Sequence, residues 1–148
     1  MSFRNFVEMA EKVHRLFELG KKTGELAQTL APAPKLSPEE LQAYLARACE
    51  RTNTGAPQKL SERLQFDGMS ATGTKTVTYE YRLLQVVRGN DEEIKGALAQ
   101  QRQNDMVIFR QASEFEKVCR AYGVTKIFRF KDKEGHSVGE NIIAAGDL

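Results

Sequence analysis

A chain of 148 residues with 41% hydrophobic and 28% charged side chains can enclose one core, and its composition is far from that of a disordered chain. Its 22 basic and 20 acidic residues leave a formal charge of +2, so no long-range field singles out nucleic acid or an anionic membrane. Two cysteines, Cys49 and Cys119, and two histidines, His14 and His136, are too few and too scattered for a zinc-ligand pattern, and neither a metal nor a cofactor is expected.

The first predicted element is a long amphipathic helix over residues 1–30. Phe3, Phe6, Ala10, Val13 and Phe17 recur at spacings of three and four, and Val7, Leu16 and Leu19 widen the stripe. Glu8 with Lys12, Glu11 with Arg15 and Glu18 with Lys22 are acidic-then-basic pairs four apart, the favourable order on an exposed helix face. An apolar stripe must be buried against something. Phe3, Phe6, Val7, Ala10, Val13 and Phe17 are therefore the candidate partner-binding residues, acting through self-association or a helix-in-groove contact. Arg4, Glu8, Glu11 and Lys12 interrupt any apolar run that a signal peptide would need, and no later stretch suits a bilayer-spanning helix. A cytoplasmic location is expected if the chain is the whole gene product, and a periplasmic or membrane-associated one if it is a trimmed piece.

Residues 31–36 carry Pro32 and Pro34, which remove backbone donors and favour extended conformations, so they read as a linker to a domain over 37–148. Ser37, Pro38 and Glu40 form the start signal of the next helix: an N-cap hydroxyl, a proline at the first helical position and a glutamate placed to close a capping box. Leu41, Tyr44, Leu45, Ala48 and Cys49 mark its buried face, and it should end before Asn53.

An extended segment begins at Pro57, and Leu64 and Phe66 alternate with polar neighbours as the first strand of a hairpin whose loop spans 70–74. The second strand, over 75–87, is the strongest in the chain. Val77, Tyr79, Tyr81 and Leu83 alternate with Thr78, Glu80 and Arg82. Asn90 and Glu93 then offer a cap for a helix carrying Ile94, Ala97, Leu98 and Gln101, and helical spacing continues through Met106, Ile108, Phe109, Ala112, Phe115, Cys119 and Tyr122 to Gly123, a C-terminal cap. Ser113 to Glu116 could be a second capping box, which would divide this stretch into two helices with a bend. Residues 124–131 and 137–144 form a last pair of strands around a turn at Glu134 and Gly135. The expected architecture is α+β: an antiparallel sheet of about four strands in two hairpins, packed against helices and preceded by the amphipathic helix. Its core should join Leu64, Phe66, Tyr81, Leu83, Phe128 and Phe130 under Leu41, Leu45, Ile108, Phe115 and Cys119.

Pro57, Leu60, Leu64, the strand Thr76-Val77-Thr78-Tyr79-Glu80-Tyr81, and the tail from Gly123-Val124 to Phe130 with Asp132 and Gly135 resemble a group of small uncharacterised bacterial proteins. Members show a Thr-x-Tyr-x-Tyr strand, then a cysteine, then a Gly-Val strand closing on Asp-x-x-Gly. The resemblance spans 57–143, and its motifs imply strands and turns rather than an activity. The family cysteine would fall near Gln111 or Ala112, where this chain has none. Members are commonly preceded by a secretion signal or membrane anchor; here the amphipathic helix stands in that place, so the anchored periplasmic placement is not carried over.

Catalytic signatures are absent from the sequence. A nucleophile would have to be Cys49 or Cys119 with His14 or His136 as base, with no local motif to support it. Residues 132–135 lack the alternating oxygen ligands of a calcium loop and read as a hairpin turn, and Gly68 to Gly73 leads into a strand rather than a phosphate-binding helix N-terminus. The leading expectation is a non-enzymatic interaction or accessory protein that uses its N-terminal helix. A nucleic-acid-binding domain is an alternative, because Arg102, Arg110, Lys117, Arg120, Lys126, Arg129, Lys131 and Lys133 interleave with Tyr122, Phe128 and Phe130, although Asp105, Glu114, Glu116, Asp132 and Glu134 offset them. A second alternative is a small enzyme whose cleft brings Tyr79 or Tyr81 to a carboxylate.

Overall fold

A computed structural model of the chain describes residues 33–62, 64–84 and 91–148. The amphipathic helix expected over 1–30, with its stripe from Phe3 to Phe17, lies outside the described residues, as does the cap expected at Asn90. Helix α1 (Pro38–Asn53) starts as its sequence dictates. Ser37 Oγ accepts from the Glu40 amide and Glu40 Oε1 accepts from the Ser37 amide, each at 3.2 Å, with Pro38 in the first turn. Its buried residues Leu41, Leu45, Ala48 and Cys49 fall on one stripe.

There follow β1 (Gln58–Lys59), β2 (Leu64–Thr72), β3 (Thr76–Leu83), α2 (Asp91–Phe109), α3 (Glu114–Ala121), β4 (Thr125–Lys131), β5 (Ser137–Ala144) and a 3-10 turn, Ala145–Asp147. The strands make one five-stranded sheet in the order β1-β2-β3-β4-β5. Two expectations need correction here. The sheet has five strands rather than four, and it is mixed: β3 and β4 run parallel, in register from Thr76 opposite Thr125 to Arg82 opposite Lys131. The cause is the connection. After β3 the chain crosses over one face of the sheet as α2 and α3 and re-enters at the end where β3 began, which makes the next strand parallel. The outer pairs, β2 with β3 and β4 with β5, are the expected antiparallel hairpins.

The break between α2 and α3 is chemical. Ser113 Oγ accepts from the Glu116 amide at 3.4 Å and so caps α3, while Arg120 Nη1 donates to the carbonyls of Phe109 and Gln111, both at 2.6 Å, at the end of α2. Helix α3 closes at Gly123, whose φ of 67° is left-handed; the Val124 amide bonds back to Cys119 O at 2.9 Å and the Gly123 amide to Arg120 O at 3.4 Å.

Strict alternation along β3 sends Val77, Tyr79, Tyr81 and Leu83 inward, where Tyr79 stacks on Phe128 at 4.8 Å and Tyr81 on Phe130 at 5.5 Å, each ring on its register partner. Leu64, Phe66, Met69 and Ile143 extend this face, and Leu41, Leu45, Phe115 and Cys119 cover it, as the sequence implies. Ile108 is buried as well. Both cysteines are buried and neither is in a disulfide.

Candidate functional site

Besides the buried Gln101–Asp105 pair of α2, joined at 3.0 Å, polar chemistry gathers at three places among the described residues. The first is inside. Alternation along β4 directs Lys126 into the core, where it is 2% exposed and its Nζ lies 2.6 Å from both carboxylate oxygens of Glu116, itself 1% exposed. The ammonium also sits 4.7 Å from the ring centre of Phe109, 5.2 Å from that of Phe115 and 5.3 Å from that of Tyr79. This pair organises the contact of β4 with α3 and is closed to any substrate.

The second is an open cleft of about 360 Å³ where the end of α1 meets β2, lined by Asn53, Asp67, Gly68, Met69 and Glu80 among others. Asn53 Oδ1 accepts from the Met69 amide and Asn53 Nδ2 donates to the Met69 carbonyl, both at 2.7 Å. The side chain thus takes the place of a neighbouring strand beyond the point where β1 stops, and Gly68 leaves room for it: a Cβ there would lie 3.3 Å from Asn53 Oδ1. Asp67 is held by Arg82 at 3.0 Å and by Gln65 Nε2 at 2.6 Å. The enzyme alternative needs Tyr79 or Tyr81 to meet a carboxylate in a cleft. Both tyrosines are buried on the inner face against phenylalanines, while Asp67 and Glu80 belong to the other face, so this cleft does not bring them together.

The third place is the outer face of the sheet, over which no described element packs. Register aligns its side chains in rows. Gln65, Arg82 and Lys131 form one; Gly68, Glu80, Arg129 and Glu140 form the next; Ser70, Thr78, Ile127 and Ile142 form a third; Thr76, Thr125 and Ala144 lie beyond them. Charges occupy the first two rows, where Arg129 bridges Glu140 at 3.1 Å and Glu80 at 3.6 Å. The last two rows carry no charge. The sequence shows the alternation within each of these strands; the alignment into rows depends on the parallel pairing of β3 with β4, which it does not show.

The basic and aromatic residues of the nucleic-acid alternative are dispersed. Lys126 is interior, Arg120 is spent on carbonyls, Arg102 pairs with Asp147 at 3.1 Å, and Arg129 and Lys131 face Glu80. Phe128 and Phe130 are buried, and the Tyr122 hydroxyl donates to Pro34 O at 2.8 Å while accepting from the Leu36 amide at 2.6 Å. No ring among them is free to stack on a base. His136, 73% exposed, sits in the β4–β5 turn with Nδ1 3.4 Å from Asp132 Oδ2 and 3.5 Å from Glu134 Oε2, whereas both thiols are in the core. Among the described residues no three His, Cys, Asp or Glu side chains converge as a metal site would require, and no helix is long and apolar enough to cross a membrane.

No protein-family model matches the sequence, and no curated protein sequence does. Solved structures share the fold. A candidate secreted protein from Pseudomonas aeruginosa is similar over 77% of this chain and 97% of its own, with a TM-score of 0.57 and 14% identity. The type II secretion system pilotin AspS from Vibrio cholerae is similar over 74% of this chain and 94% of its own, with a TM-score of 0.52 and 13% identity. The pilotin EpsS of the Vibrio vulnificus type 2 secretion system follows at a TM-score of 0.49 and 10% identity, over 73% and 91%. At these identities the likeness is one of fold.

Proposed function

We propose that this chain is an accessory protein of a bacterial secretion or envelope system, acting by binding another protein rather than by catalysis. The observation that carries the reading is the fold held in common with a type II secretion system pilotin across 94% of that chain, together with a candidate secreted protein across 97%. A pilotin-like role needs a recognition surface and no reaction centre. The buried Lys126–Glu116 pair agrees with this, since its two groups are engaged with each other. On this reading the partner contact is made by the N-terminal stripe Phe3, Phe6, Val7, Ala10, Val13 and Phe17, an amphipathic helix face presented to an apolar groove. The protein then works in the cell envelope and not in the cytoplasm.

Photo-crosslinking in the native cells tests the proposal, with a photoreactive residue at Val13 and a control at exposed Ser137. The expected result is one dominant cross-linked protein from Val13, a component of an envelope assembly that co-fractionates with this chain, absent from Ser137 and lost with Phe6→Asp. Identical products from both positions, or recovery of the chain wholly in the cytoplasmic fraction, would overturn it.

A further inference from the structure

The chain on either side of Lys35 is gripped by one side chain. The Tyr122 hydroxyl donates to Pro34 O at 2.8 Å and accepts from the Leu36 amide at 2.6 Å, so a residue 86 positions from Leu36 closes a ring across Lys35. The backbone that follows is engaged as well: the Ser37 amide donates to Glu40 Oε1 at 3.2 Å, and the Ser37 carbonyl accepts from the Leu41 amide at 2.8 Å. Ala33, Leu36 and Tyr122 pack against the core, while Lys35 between them is exposed. Prolines alone stiffen a connection without fastening it to anything. Here the fastening comes from the residue that ends α3, and that residue is itself held: the Tyr122 amide bonds to Val118 O at 3.0 Å, and Gly123 turns the chain beyond it with φ at 67°.

We propose that Tyr122 is a clasp: its hydroxyl makes 33–36 a strap fastened between the start of α1 and the end of α3, and so shields the Lys35–Leu36 bond that joins residues 1–35 to the domain. A protease acts on a chain that has opened locally, with several residues around the cut lifted off the surface. The two bonds to Tyr122 hold the residues on both sides of Lys35 in place, so the lysine faces solvent while its neighbours cannot follow it into a protease cleft. One hydroxyl therefore controls both the fixity of the connection and its exposure to cleavage. The inference goes beyond the partner-binding reading, since the strap is closed in the chain alone. Where that reading holds, a cut after Lys35 would part the recognition segment from the domain, and the clasp slows that cut.

The test compares the full chain with Tyr122→Phe, which keeps the ring and removes the hydroxyl. In amide hydrogen exchange Leu36 should be protected in the unaltered chain and should exchange about tenfold faster or more in the variant. Leu41, bonded to Ser37 O, and Val124, bonded to Cys119 O, should keep their rates, which shows that α1 and the start of β4 stay folded. In limited trypsin digestion read by mass spectrometry, the fragment beginning at Leu36 should form severalfold faster from the variant. An unprotected Leu36 amide in the unaltered chain overturns the proposal, and that measurement needs no variant. Unchanged exchange at Leu36 or unchanged cleavage after Lys35 in Tyr122→Phe overturns it too. So does equal acceleration at Leu36, Leu41 and Val124, which would make the hydroxyl a support of the whole fold and not a clasp. Neither measurement involves a partner, so this proposal and the partner-binding reading fail on different results.

Discussion

Removing an ammonium from water costs several kcal/mol unless its partner is well placed, and Lys126 has both oxygens of Glu116 at 2.6 Å and three ring faces around it. Such a pair contributes little net stability against an apolar replacement, but half of it is a liability. Glu116→Leu, which strands the ammonium, should cost about 3–5 kcal/mol in urea denaturation, and Glu116→Leu with Lys126→Met should recover most of that loss. A single variant that costs under about 1 kcal/mol would mean that water reaches the pair. Asp132 makes a different kind of prediction. Desolvation pushes its carboxyl up, but the backbone amides of His136 and Glu134, both at 2.9 Å from Oδ1, and the His136 ring together hold it below the usual aspartate range. A carboxyl with a depressed folded-state pKa adds stability that is complete above the unfolded value, about 3.9, and is lost as pH falls through the folded value. Denaturation midpoints measured from neutral pH to pH 3 should therefore show unaltered protein and Asp132→Asn differing by a constant amount at first. The gap should then close in the acid limb. A gap that stays constant to pH 3 would show that the turn does not depend on the charge.

Helix termini are the elements whose boundaries depend on single residues, and Gly123 is the clearest. With φ at 67° it closes α3 so that Val124 enters β4 in line with β3. Gly123→Ala should cost about 1–2 kcal/mol by thermal or chemical denaturation, the price of a Cβ in the left-handed region. No Cβ clash adds to it, since nothing lies within 4 Å of that position. This same local chemistry is what made the helices legible: Ser37 with Glu40, Ser113 and Gly123 each announce a boundary through a hydrogen bond made within a few residues. Alternation in β3 likewise assigned Tyr81 and Leu83 to the core side. What alternation cannot supply is the neighbour. A period of two says which face a residue takes, not which strand lies beside it, so the parallel pairing of β3 with β4 and the rows of the outer face stayed hidden. Strand β1 was missed because two exposed residues carry no period. Asn53, read only as a helix-ending residue, proves to finish the edge of β2 in place of a strand, a role visible only once α1 is set against the sheet.

At the scale of the whole molecule the question is what 1–32 adds to a domain whose core runs from Leu41 to Ile143. Ala33 and Leu36 pack against that core, and Pro34 and Leu36 are bonded to Tyr122, so the domain reaches back at least to Ala33, earlier than the capping signal at Ser37 indicates. The described residues that fill the inner face run from Ala33 to Leu148. A chain starting at Ala33 should accordingly unfold in one cooperative urea transition and sediment as a monomer. Its stability should stay close to that of the full chain if the N-terminal stripe serves a partner. Loss of the folded state altogether would mean that the segment is part of the core, and the reading of it as a detachable recognition helix would have to be abandoned.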